Sequence, residues 1–179
     1  MSARQHYFVF LLVVPLLLDS GSPFTEAADS PPSAGDKEPA GLGDYVAFPA
    51  AGVRLRQPEG FEKADTFDGF MQPDTLASIL IVSISGSFSE MTAGFTEESM
   101  KAQGWKVLCR QEAKVDGEPG LLVNFQQSAR GDVFLKWSLI IGDERKTIMI
   151  TATMPKRHER ELSARLKAAV LSARRDHAA

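Results

Sequence analysis

Four apolar-alternating runs follow one another between Trp105 and Met154, and they restrict the fold more than any other feature of the chain. Trp105, Val107 and Cys109 alternate with Lys106, Leu108 and Arg110, as along one strand. Asp116-Gly117 is a two-residue hairpin signal, because both positions of such a turn need positive φ. Leu121, Val123 and Phe125 then share a face. Arg130-Gly131-Asp132 supplies the next turn, and Val133, Leu135, Trp137, Leu139 and Ile141 the next face. Gly142-Asp143 turns the chain again into Ile148, Ile150, Ala152 and Met154. Consecutive hairpins require antiparallel strands, which excludes a doubly wound parallel sheet.

Upstream, Gly52 to Arg56 and Phe67 to Met71 read as short strands, the first ended by the turn Gln57-Pro58-Glu59-Gly60. Ala77 to Ser85 (ASILIVSIS) is β-branched and almost continuously apolar, as in a strand buried on both faces. Ser87 and Glu90 form a capping-box pattern for a helix whose face carries Met91, Phe95, Ser99 and Ala102. Gly94 weakens that helix in the middle, Thr96 is placed to recap a second half, and Gly104 ends it. After Pro155, Leu162, Leu166, Ala169, Val170 and Ala173 fall at helical spacing, opposite Arg160, Arg165, Lys167 and Arg174. The expectation is an α+β fold: a central antiparallel β-sheet flanked by helices.

The N-terminus predicts export. Arg4 precedes an apolar run, Phe8 to Leu18, that at eleven residues is too short to span a bilayer but matches a secretory signal. Residues 1–27 are expected to be cleaved after Ala27 or Ala28, the alternative being an uncleaved anchor; no stable membrane insertion is expected after cleavage. Residues 28–44, rich in Pro, Gly, Ser and charge, read as a disordered linker. Residues 45–179 then form a single domain. The expected location is exported, periplasmic or secreted, in a bacterium.

With 44% apolar residues the domain can build a core, and a net charge of −3 argues against nucleic-acid binding. The single cysteine, Cys109, excludes an intramolecular disulfide and a cysteine-based zinc site. It is expected as a buried small strand residue, the alternative being an exposed thiol. Of the three histidines, His6, His158 and His177, only His158 falls within the elements, among Lys156, Arg157 and Arg160. The sequence therefore predicts no metal site, no cofactor and no catalytic triad. Glu97 and Glu98, with Asp65 and Asp68, read as surface carboxylates, and Arg130-Gly131-Asp132 as a plain turn.

One charged feature stands out. The segment from Lys156 to His177 carries seven Lys or Arg against three acids. Arg165, Lys167, Arg174 and Arg175 are candidates for a docking face toward an acidic partner or an anionic membrane surface, against the alternative of a solvated helix face.

Several stretches together resemble one family: GVRLRQPEGFE, then ASILIVSIS, a helix ending AQGWKVL, EAKVDGEPGLLVNFQ, and TIMITATMP before a terminal helix. From about Gly52 to Ala173 the chain resembles the PsbP-like superfamily, which includes photosystem PsbP proteins, Ran-binding Mog proteins and DcrB-like envelope proteins. The resemblance implies an α/β/α sandwich and a non-enzymatic binding or assembly role with an unknown protein partner. It carries over no functional residue. The alternative is a small-molecule-binding exported protein, motivated by the stripe of Phe88, Met91, Phe95 and Met100, which at its helical spacing reads first as core; an unrecognised hydrolase is the remaining reading.

Overall fold

The computed structural model describes residues 41–176. The expected signal (1–27) and most of the expected linker lie outside the described residues.

A large sheet runs in the order β3-β4-β5-β9-β8-β7-β6, every neighbouring pair antiparallel. Its strands are β3 (Glu62–Lys63), β4 (Gly69–Gln72), β5 (Ala77–Ser85), β6 (Trp105–Val115), β7 (Glu118–Ala129), β8 (Asp132–Gly142) and β9 (Lys146–Pro155). Two of the three predicted turns close as two-residue hairpins: Asp116 and Gly117 have φ of 53° and 85°, and Arg130 and Gly131 have 54° and 84°; Gly142, from the third, instead ends β8. These values close two-residue turns that match the twist of the flanking strands.

Helix α3 (Glu159–Leu171), entered through a 3-10 turn at Lys156–His158, packs on one face of the sheet. Its apolar side, Leu162, Leu166, Ala169 and Val170, is buried against Leu135, Leu139, Ile141, Ile148, Ile150, Ala152 and Met154. The predicted inward faces of β8 and β9 are thus the core faces. Trp137 packs on the same cluster and donates from Nε1 to Ser163 Oγ at 3.0 Å. On the other face, α1 (Phe88–Gly94) and α2 (Glu97–Ala102) cover a second cluster of Met100, Leu121, Val123, Phe125 and Ile140. Helices on both faces of an antiparallel sheet make the expected three-layer α+β arrangement.

The capping box forms as predicted: Ser87 Oγ accepts from Glu90 N at 3.2 Å, and Ser87 N donates to Glu90 Oε2 at 3.4 Å. The helix breaks after Gly94, and Thr96 Oγ1 accepts from Ser99 N at 3.1 Å to start α2. The break changes the phase of the helical face. Met100, rather than Ala102, is buried, and Ala102 is exposed.

A second, three-stranded sheet departs from expectation. It has the order β1-β2-β10, with β1 (Leu42–Phe48), β2 (Val53–Pro58) and β10 (Arg174–Arg175). Strand β1 begins at Leu42, so Leu42, Gly43 and Asp44 belong to the fold and not to the linker; Arg56 holds them by donating to the carbonyls of Gly43 (2.9 Å) and Leu42 (3.1 Å). Strand β2 runs through Gln57 and Pro58, which shortens the predicted turn to Glu59 and Gly60. Phe48, Val53 and Leu55 of this sheet complete the core beneath α3. Arg174, placed on the helix by its spacing, lies instead in β10, because α3 ends at Leu171 and the chain turns back onto β2.

Two burial expectations also change. Strand β5 alternates: Ala77, Ile79 and Ile81 are buried, while Leu80 and Val82 are half-buried and Ser83 is exposed. Its second face is not sealed, because the apolar cluster under α1 and α2 draws on β7, β8 and β9 but takes nothing from β5. Cys109 is exposed. A bulge between Val107 and Cys109 leaves Leu108 without a register partner. The extra residue flips everything after it, so Cys109 leaves the Val107 face and sits opposite Asn124 on an edge strand.

Candidate functional site

The four basic residues singled out in the sequence do not converge. Arg165 donates from Nη1 to the Glu59 carbonyl at 3.2 Å, tying α3 to the turn after β2. Lys167 holds its ammonium over the Trp137 ring, 4.8 Å from the centroid. Arg175 is half-buried and bridges two hairpins: Nη1 donates to Glu118 Oε2 at 2.9 Å and Nη2 to Asp143 Oδ2 at 2.6 Å. Those bonds hold its guanidinium above its ordinary pKa against the opposing effect of burial. The hydrogen bond from Arg175, then those from the backbone N–H groups of Arg145 and Lys146, hold the Asp143 carboxyl well below the usual carboxylate range. Arg175 therefore acts as a clamp between β10 and the β6-β7 and β8-β9 turns.

Arg174 alone remains exposed, and it joins a group that the sequence did not suggest. Its guanidinium lies 4.7 Å from the Tyr45 ring centroid, and that of Arg54 lies 5.9 Å from the same ring. Arg54 and Arg174 are direct cross-strand partners. Like charges opposite one another in a sheet repel, and here the Tyr45 π-face and Asp176, 3.7 Å from Arg54, moderate the repulsion. Beside Tyr45 runs a shallow groove of about 340 Å³ lined by Leu42, Tyr45, Arg56, Ala168, Leu171 and Ser172.

The aromatic and methionine stripe on the other layer is core. Phe88, Met91 and Phe95 pack against the cluster that contains Met100, and Trp105 stacks on Phe125 at 5.1 Å. The carboxylates of Asp65, Glu97 and Glu98 are exposed and Asp68 is half-buried, with no metal-holding group of His, Cys, Asp or Glu among the described residues. His158 Nδ1 faces Glu161 at 3.8 Å.

A feature missed from sequence is Lys136 of β8, only 4% exposed. Strand alternation marks it as pointing away from the α3 core but says nothing of what flanks it there. Its cross-strand partners are Phe125 and Thr153, and its Nζ lies 6.0 Å from the Phe125 centroid. Burial pushes its pKa down to about 8.

No family model matches the chain, and no curated protein matches it. Solved structures do. The cyanobacterial PsbP, CyanoP, of Synechocystis superposes with a TM-score of 0.52 at 13% identity, over 80% of this chain and 97% of that one. The fold is PsbP-like. LpqN of Mycobacterium tuberculosis, described as involved in cell envelope biogenesis, has a TM-score of 0.54 at 11% identity, over 68% of this chain and 81% of its own. A Bacteroides thetaiotaomicron protein has a TM-score of 0.50 at 14% identity, over 74% and 48%. At these identities the likeness establishes the PsbP-like fold and assigns no residue. Among the described residues no helix is long and apolar enough to cross a membrane.

Proposed function

We propose that this PsbP-like domain is an exported, non-enzymatic binding module that docks an acidic segment of a protein partner at Tyr45, Arg54 and Arg174. The observation that carries the reading is the placement of two arginines directly opposite each other on one exposed tyrosine ring. The repulsion is moderated at Arg54 by Asp176, and a carboxylate from outside would neutralise Arg174 in the same way. Tyrosine and arginine are also the residue types on which interface energy concentrates, and the adjoining groove offers apolar contact from Leu42 and Leu171. The signal-like apolar run from Phe8 to Leu18 and the description of LpqN as involved in cell envelope biogenesis support the location.

The test is affinity capture from the exported fraction, with wild type and with Arg174→Glu combined with Tyr45→Ala. Wild type is expected to retain a partner whose capture weakens as salt rises, and the double variant to lose it. Equal recovery by both, or wild type recovered alone in repeated captures, overturns the docking site.

A further inference from the structure

A second site lies on the opposite face of the large sheet, and it goes beyond the docking reading. Lys136 is buried, yet among the described residues no carboxylate lies within ion-pair distance and no hydrogen bond reaches its ammonium. The Phe125 ring, at 6.0 Å, is a weak substitute at the outer limit of a cation–π contact. An ammonium held in this way is costly unless a counter-charge arrives.

The neighbouring groups supply hydroxyls. Thr153 sits directly across from Lys136 on β9, and Ser78 directly across from Thr153 on β5. One step along β8, on the same face, Ser138 pairs with Thr151, their hydroxyls 2.8 Å apart. One proton of that pair is used between the two oxygens, and the other is left to donate elsewhere. Thr151, Thr153 and Ser78 are only half-buried, so an approach is open from the β5 side, where α1 and α2 bury no apolar residue of the sheet.

We propose that Lys136, with Thr153 and the Ser138–Thr151 pair, binds the oxyanion group of a small ligand, a carboxylate or a phosphate. An ammonium supplies the charge and the hydroxyls supply directed donors, the combination that recognises such oxygens. At neutral pH the amine remains largely protonated, so the site is charged when the ligand arrives. Strands are spaced about 4.8 Å apart, so a ligand held at Lys136 extends over β9 and reaches β5 within roughly 10 Å.

The experiment is a pH titration of the lysine side-chain carbons by NMR, with Lys136 assigned by its absence from the Lys136→Met variant. It is run in chloride, in acetate and in inorganic phosphate at matched ionic strength. The expected result is a rise of one pH unit or more in the Lys136 midpoint with one anion relative to chloride. Acetate giving the rise identifies a carboxylate ligand, and phosphate a phosphorylated one. Ligand-observed NMR with Lys136→Met and Lys136→Gln, both checked for native spectra, should show at least tenfold weaker binding of that anion. A midpoint unmoved by both anions, or variants that bind as wild type does, overturns the site.

Discussion

Substitution of Gly69 by alanine tests the reasoning that places β4 in the large sheet. Gly69 has φ of 145°, a conformation that side-chain-bearing residues rarely adopt. A Cβ there would also overlap the Ile79 carbonyl oxygen and lie 2.9 Å from its carbon, both of them backbone atoms of the paired strand. No rotamer relieves that overlap, so β4 has to move off β5. Phe70, next in the chain, is fully buried and meets Phe48 edge-on at 5.3 Å. Uncovering a phenylalanine costs about 3 kcal/mol, and losing the ring pair about 1 kcal/mol more. The control is Gly131→Ala, at φ of 84°, where a Cβ meets nothing within 4 Å and only backbone strain of about 1–2 kcal/mol applies. Urea denaturation of the two variants should therefore show Gly69→Ala losing at least about 2 kcal/mol more than Gly131→Ala. Equal losses would refute the register of β4 against β5.

Three further outcomes follow from named groups. Cys109 should react with a thiol reagent at once in the native protein, and Cys109→Ser should change stability by less than about 0.5 kcal/mol; a thiol protected until unfolding would contradict the bulge at Leu108. Asp143, with its carboxyl held below the ordinary range, contributes stability that is complete above the unfolded value near pH 4 and fades as pH falls below it. Asp143→Asn should accordingly be less stable than wild type at pH 7, with the gap closing toward pH 3 in denaturation curves; a gap independent of pH would count against the Arg175 clamp. Lys136, lowered to about 8 from 10.5, makes the unfolded state bind more protons between those values, so wild-type stability should climb as pH rises through that window. Lys136→Met should be more stable than wild type at pH 7 and lack the climb, and a parallel pH profile would argue that Lys136 is solvated.

Local chemistry carried much of the fold into the sequence. The bounds of β5 follow from a β-branched run ended by Gly86, the hairpins from Asp116-Gly117 and Arg130-Gly131, and α1 from Ser87 and Glu90. What was not legible depends on distant partners. Strand β1 contributes one fully buried residue, Phe48, and β10 is two residues long; each is a strand only because β2 lies beside it. Cys109 was misplaced because a bulge leaves no periodic mark, and Ala102 because the break at Gly94 resets the helical phase. At the candidate sites, the charge excess after Lys156 was visible, but not that Arg165, Lys167 and Arg175 are each engaged within the fold. Lys136 was hidden for a related reason: alternation gives the direction of a side chain, whereas its burial depends on what flanks that face.

The Arg175 clamp has a consequence for how the molecule is made. The strand that closes the small sheet leaves the ribosome well after its partner β2. A growing chain keeps Phe48 and Leu55 without their finished cover until β10 has been made. Stalled or C-terminally clipped products ending ahead of Arg174 would carry an open layer and lack the Arg175 bonds to Glu118 and Asp143, and a protease has a means of telling them from finished molecules.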